Sequence, residues 1–283
     1  MKILVTGANG QLGSELREKR DDRVIFVDRD ELDITDADAV DTFFTEHKPN
    51  YCINAAAYTN VEKAEDEYEI CHAVNAQGAE NIARACTKQR TILFHISTDF
   101  VFDGKKNVPY AEDDEPNPLG AYAKTKYEGE CAVQERCPRS FIVRTAWLYS
   151  PFGGNFVKTI LRLCAERDSM SVVADQYGSP TYARDMAEAL MRMVEQCEEK
   201  KDTIPFGIYH YANDGEVTWF EFAQKIRDLA GLSCDLLPIP ASEYPSRVER
   251  PSYSVLATKK IQYVFGVRVP EWDESLVDFF KRT

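Results

Sequence analysis

The sequence predicts an α/β fold: a doubly wound parallel sheet with a smaller C-terminal lobe. Three observations carry this expectation. Short apolar runs alternate with helical patterns through the first half of the 283 residues, a glycine-rich turn follows the first run, and the second half loses that regularity. In order, "KILVTG" (2–7) predicts a strand and "QLGSELREKR" (11–20) a helix, then "RVIFVD" (23–28) a second strand. Over 36–47, Ala39, Val40, Phe43 and Phe44 fall near i, i+3, i+4 spacing, which predicts a helix. "YCINAAA" (51–57) is a third strand, 67–89 one long helix, "TILFHIS" (91–97) a fourth strand, 121–136 a helix and "SFIVRTAW" (140–147) a fifth strand. Helices are expected over 156–167, 183–200 and 218–231, with a strand over 207–213. Prolines 238, 240, 245 and 251 predict loops and short strands over a pocket.

Composition narrows the function. With 47 acidic against 34 basic residues the net charge is −13, a field that repels nucleic acid and anionic membranes, so neither is expected as a partner. No apolar run is long enough to span a bilayer, and the N-terminus goes straight into "MKILVTGANGQLG" without a cleavage signal. The eight cysteines form no C-x-x-C pair and have no metal-ligand spacing, so reduced thiols in the cytoplasm and no protein-bound metal are expected.

Gly7, Gly10 and Gly13 in "TGANGQLG" form a G-x-x-G-x-x-G turn between a strand and a helix. Glycine there permits positive φ and close approach of a pyrophosphate, and the helix N-terminus offers free N–H groups to it. This predicts a Rossmann-like dinucleotide site. Asp28, at the end of the second strand, suits ribose hydroxyls and hence NADH, whereas its neighbour Arg29 suits a 2′-phosphate and hence NADPH. Both cofactors stay open. Tyr122 and Lys126 stand at i and i+4, on one helix face. An ammonium beside a phenol is expected to lower its pKa and make it a better proton donor and acceptor. The hydroxyl of Thr98 or Ser97, at the end of the fourth strand, is expected to meet a substrate carbonyl beside Tyr122, with "FVF" (100–102) as a wall. Among local cations, Arg250 and Lys158 are candidates to hold a diphosphate.

Together with these motifs, "NAAAYTNVEKAE" (54–65), "VN" (74–75), "STDFVFDG" (97–104), "YAKTK" (122–126) and "RTAWLY" (144–149) resemble the extended short-chain dehydrogenase/reductases. With "DQYGSPTYARDMA" (175–187) and "RPSYS" (250–254), the chain is similar over nearly its whole length to the dTDP-4-dehydrorhamnose reductase family. The resemblance implies a Thr98–Tyr122–Lys126 site that reduces the C4 ketone of dTDP-4-dehydro-6-deoxy-L-mannose to dTDP-L-rhamnose, for cell-surface polysaccharide, with NADPH or NADH. It implies cofactor contacts from Asn9, Gln11 and Leu12, from Asp33 and Ile34, from Ala55, Ala56 and Ala57, and from Asn75, Tyr122 and Lys126. It implies dTDP-sugar contacts from Ser97, Asp99, Phe100, Trp147, Asn155, Lys158, Gln176 and Arg250. A dinucleotide-binding domain over 1–150, with returning segments near 182–212, and a substrate lobe over 151–181 and 213–283 follow from it, as does a homodimer with an occasional Mg²⁺ at its interface. Phe100 stands where the family usually has Tyr, Tyr253 where it has Asn, and Ala257 where it has an acid or Asn. Alternatives are another nucleotide-sugar epimerase or dehydratase of the superfamily, and a non-catalytic subunit like the regulatory subunit of methionine adenosyltransferase.

Overall fold

Burial along the whole of β1 (Ile3–Thr6) marks it as an interior strand, and its neighbours β2 (Val24–Val27) and β3 (Tyr51–Asn54) both run parallel to it. The computed structural model describes residues 1–200 and 203–282. Between these strands lie α1 (Gln11–Glu18) and α2 (Ala37–His47), the second capped by the Asp36 carboxylate on the N–H groups of Asp38 and Ala39. A broken helix follows, α3 (Tyr68–His72) and α4 (Gly78–Gln89), and then β4 (Ile92–Thr98), α5 (Gly120–Arg136) and β5 (Ser140–Thr145). The remaining elements are β6 (Leu148–Tyr149), α6 (Phe156–Glu166), β7 (Ser169–Val173), β8 (Tyr177–Gly178), β9 (Thr181–Tyr182), α7 (Ala183–Lys200), β10 (Gly207–His210), β11 (Val217–Thr218), α8 (Trp219–Leu229), β12 (Asp235–Ile239), α9 (Lys259–Phe265) and α10 (Trp272–Arg282).

The central sheet has the order β10-β5-β4-β3-β1-β2 and every pairing in it is parallel. Side chains alternate between its two faces. Ile3, Val5, Ile53 and Phe94 pack under Met186, Leu190 and Met193 of α7, while Leu4, Cys52 and Leu93 face Ile82 and Cys86 of α4. A separate cluster around Tyr149, Ile160, Phe222, Leu236 and Phe279 is the core of the smaller lobe. Chain order reverses at β1, between β2 on one side and β3 on the other, which opens a crevice at the carboxyl ends of the strands.

The structure departs from or refines the sequence expectation in three places. The single helix expected over 67–89 contains a π-helical turn, Ala73–Gln77, between α3 and α4. There the buried Asn75 amide pairs with the backbone of Tyr58 in both directions, accepting from N at 2.9 Å and donating to O at 3.1 Å. β7 and β12 form a parallel pair, and β12 tolerates Pro238 because it is the edge of a two-stranded sheet. α9 and α10 were not anticipated. Among the described residues no helix is long and apolar enough to cross a membrane.

Candidate active site

The crevice is a cleft of about 1300 Å³, larger than a single drug-sized ligand needs. The glycine turn forms one end. Gly7 has φ +66°, and a Cβ there would lie 2.6 Å from the Ala56 nitrogen; a Cβ on Gly13 would lie 2.4 Å from the Gly7 carbonyl oxygen. The turn is thus closed against the end of β3 in a way only glycine permits. Gly10 precedes α1 without a side-chain cap, so the first N–H groups of α1 are available to an anion. Asn9, Gln11, Leu12, Asp33, Ile34, Ala55, Ala56 and Ala57 also line the cleft.

Asp28 and Arg29 both line it, in different states. Both Asp28 oxygens are engaged by backbone, Oδ2 accepting from Asn9 N at 2.7 Å and Oδ1 from Arg29 N at 2.8 Å. Asp28 therefore braces the glycine turn. The Arg29 side chain is 81% exposed and only 3.4 Å pairs it with Asp33, so it is free to swing toward a ligand.

The opposite wall gathers Ser97, Thr98, Asp99, Phe100, Tyr122, Lys126, Trp147 and Arg250. Glu65 sets the start of α5: its Oε1 accepts from Ala121 N at 2.7 Å, satisfying one of the helix's free donors next to Tyr122. Phe100 meets Tyr122 edge-on at 5.7 Å. Lys126 is 2% exposed, and its ammonium donates to the Ile96 carbonyl at 2.7 Å. Burial pulls Lys126 down to about 8. The expectation that Lys126 lowers the Tyr122 pKa is not met. Burial raises it, Thr98 is the one neighbour that favours the phenolate, and Asp99 opposes it.

Asp99 is 2% exposed, accepts from the Thr98 hydroxyl at 3.1 Å, and its Oδ2 has no hydrogen-bond partner among the described residues. Burial raises its carboxyl to about 6. The folded state then holds the proton more tightly than the unfolded one, so stability falls as pH rises from about 4 through 6. Asp99→Asn removes that slope and is expected to be roughly 1–3 kcal/mol more stable than wild type at pH 8, since one pKa unit is about 1.4 kcal/mol. Urea unfolding at pH 4 and pH 8 measures it, and an unchanged slope in Asp99→Asn would assign the titration to another group.

Four of the sequence candidates lie off the cleft wall. Asn75 is buried in the π-helical turn. Asn155 caps α6 through Lys158 N at 3.1 Å and donates to Gln11 Oε1 at 2.9 Å. Lys158 donates its ammonium to the carbonyls of Pro151 at 3.1 Å and Gly153 at 2.9 Å, closing its own turn. Gln176 is half-buried in the turn between β7 and β8. Arg250 does face the cleft: one nitrogen donates to Glu62 at 3.0 Å, and its buried Nε–H has no partner among the described residues. Trp219, which sequence reasoning did not single out, also lines the cleft, stacked on Trp147. No group of three His, Cys, Asp or Glu among the described residues is placed to hold a metal ion.

A tyrosine and a lysine one helical turn apart, facing a strand-end threonine across from a dinucleotide turn, is the arrangement of the extended short-chain dehydrogenase/reductases. Known proteins narrow the class. The family model described as RmlD substrate binding domain matches residues 1–283. A dTDP-4-dehydrorhamnose reductase of Aggregatibacter actinomycetemcomitans is 40% identical over 285 residues, covering 97% of each chain. The crystal structure of a dTDP-4-dehydrorhamnose reductase from Clostridium acetobutylicum is 41% identical and superposes with a TM-score of 0.94 over 100% of this chain and 99% of that one. The Bacillus anthracis dTDP-4-dehydrorhamnose reductase, solved in complex with NADP, is 39% identical with a TM-score of 0.94 over 100% of both chains. The chain belongs to the dTDP-4-dehydrorhamnose reductase family.

Proposed function

We propose that the chain catalyses NADPH- or NADH-dependent reduction of the C4 ketone of dTDP-4-dehydro-6-deoxy-L-mannose to dTDP-L-rhamnose, a precursor of cell-surface polysaccharide. The observation that carries this reading is the meeting of Thr98, Tyr122 and Lys126 in one cleft with the glycine turn. The turn's backbone and the uncapped N-terminus of α1 would hold the pyrophosphate, and the Lys126 ammonium would hold ribose hydroxyls. When bound, the reduced nicotinamide supplies the hydride that adds to C4. Tyr122 gives its proton to the oxygen at C4. Its raised pKa keeps the phenol protonated at neutral pH, which is the form a donor needs. Thr98 favours the phenolate left behind and so eases the transfer. The eight unpaired cysteines suit a reducing compartment, the cytoplasm. The purified chain is expected to consume NADPH when given dTDP-4-dehydro-6-deoxy-L-mannose. Absence of turnover, with NAD retained through purification, would point to an epimerase-like relative instead.

Two substitutions test the ligand assignments. Arg29→Ala is expected to weaken NADPH about tenfold and leave NADH within about twofold, because a charge-assisted bond to phosphate is worth roughly 1.5–3 kcal/mol. Equal loss for both cofactors, measured as dissociation constants, would remove Arg29 from phosphate recognition. Arg250→Ala is expected to raise KM for the sugar nucleotide at least about tenfold by the same arithmetic, with the NADPH dissociation constant nearly unchanged. An unchanged KM would leave Arg250 as no more than the partner of Glu62.

A further inference from the structure

Trp147 is held in a conformation it would not choose. Its φ is +46°, in the left-handed region, which is strained for a bulky side chain and persists only where the surroundings enforce it. Two contacts enforce it here. One face of the indole lies on Trp219, with centroids 3.3 Å apart and planes within 8°. Its edge lies over Gly178, where a Cβ would come within 2.4 Å of Cε2 and 2.7 Å of Nε1. The β8–β11 ribbon brings both contacts to the ring, since Gly178 pairs with Val217 and Trp219 follows Thr218 directly. Trp219 is itself fixed. It begins α8 behind a reciprocal cap, Thr218 Oγ1 accepting from Glu221 N at 3.1 Å and Glu221 Oε2 accepting from Thr218 N at 2.9 Å, and its ring leans on Phe156 at 4.5 Å.

We propose that Trp219 is a positioning residue for sugar-nucleotide binding: with Gly178 it braces the strained Trp147 indole in the cleft wall, so that the wall is formed before the ligand arrives. This rests on the reading of the cleft as a dTDP-sugar site. Preorganisation of this kind raises affinity by removing the ordering that binding would otherwise require. The brace leaves its own signature in the ligand-free protein, because two indoles stacked face to face couple in circular dichroism and the third tryptophan, Trp272, packs instead against Phe222.

The experiment measures dTDP-L-rhamnose and NADPH binding calorimetrically for wild type, Trp219→Ala, Trp219→Phe and Gly178→Ala. Trp219→Ala and Gly178→Ala are expected to weaken the sugar nucleotide about tenfold or more, with NADPH within about twofold. Trp219→Phe is expected to restore affinity to within about threefold while losing the indole couplet. Gly178 lies outside the cleft lining, and the atoms nearest a Cβ placed there belong to the Trp147 indole, so its substitution perturbs that ring first. Wild-type affinity in Trp219→Ala would overturn the proposal. So would a loss in Trp219→Ala with none in Gly178→Ala, which would make Trp219 a direct contact. A wild-type protein that shows the couplet but binds no dTDP-sugar would instead overturn the reading of the cleft, and this inference with it.

Discussion

Tyr122→Phe is expected to lower kcat by roughly 10²–10⁴, the range for losing a general acid, while the NADPH dissociation constant stays within about twofold. The substitution removes one oxygen and keeps the ring. The edge-on contact with Phe100 at 5.7 Å does not involve that oxygen, so the wall of the cleft survives. What is lost is the proton donor beside Thr98. The pH dependence separates the two members of the pair. Burial holds the phenol above its usual range, so it stays protonated throughout the neutral range, whereas burial brings Lys126 to about 8. A basic limb near pH 8 in kcat/KM for NADPH therefore belongs to the ammonium. Steady-state rates for Tyr122→Phe within tenfold of wild type would remove Tyr122 from the chemistry.

Local features of the sequence carried the parts of the site that depend on one segment. The glycine turn was legible because strand, glycines and helix are contiguous, and the Tyr122–Lys126 pair because helical spacing alone puts both on one face. Features that join distant segments were not. Glu65 caps α5 from 56 residues upstream, and the Trp147–Trp219 stack depends on a ribbon between β8 and β11. Lys158 and Asn155 bond the backbone of their own turn, a role that residue type and position do not report. The sign of the Tyr122 shift was missed because helical spacing says nothing of burial, which is the largest influence on this phenol. α10 did have a signal: Trp272, Leu276 and Phe279 recur at i, i+4, i+7.

Arg144→Met is expected to destabilise the fold by about 3–5 kcal/mol, the usual consequence of stranding one charge of a buried pair. The side chains of Arg144 on β5 and Glu130 on α5 are each 1% exposed. Three N–H···O bonds of 2.9, 3.2 and 2.6 Å join them, and the guanidinium lies 5.0 Å over the Phe102 ring. The neighbouring imidazole does not replace the lost cation. His210 is the register partner of Arg144 on β10, and its pKa is pushed to about 3, by burial first and by the Arg144 charge second, so the imidazole is neutral. Removing both charges is a different case. Arg144→Met with Glu130→Leu leaves no stranded ion, and a well-packed apolar pair can match a buried salt bridge, so the double variant is expected to recover most of the stability. It should not recover full activity at alkaline pH. Glu130 stands one helical turn after Lys126, and its carboxylate is a leading influence keeping that ammonium charged against burial. Without it, Lys126 loses its proton below about 8, and the fall in kcat/KM for NADPH starts at lower pH. Guanidinium unfolding of the two variants measures the first part and the pH profile of the double variant the second. A single variant that loses less than about 1 kcal/mol would mean that the Arg144–Glu130 pair contributes little to the α5–β5 contact.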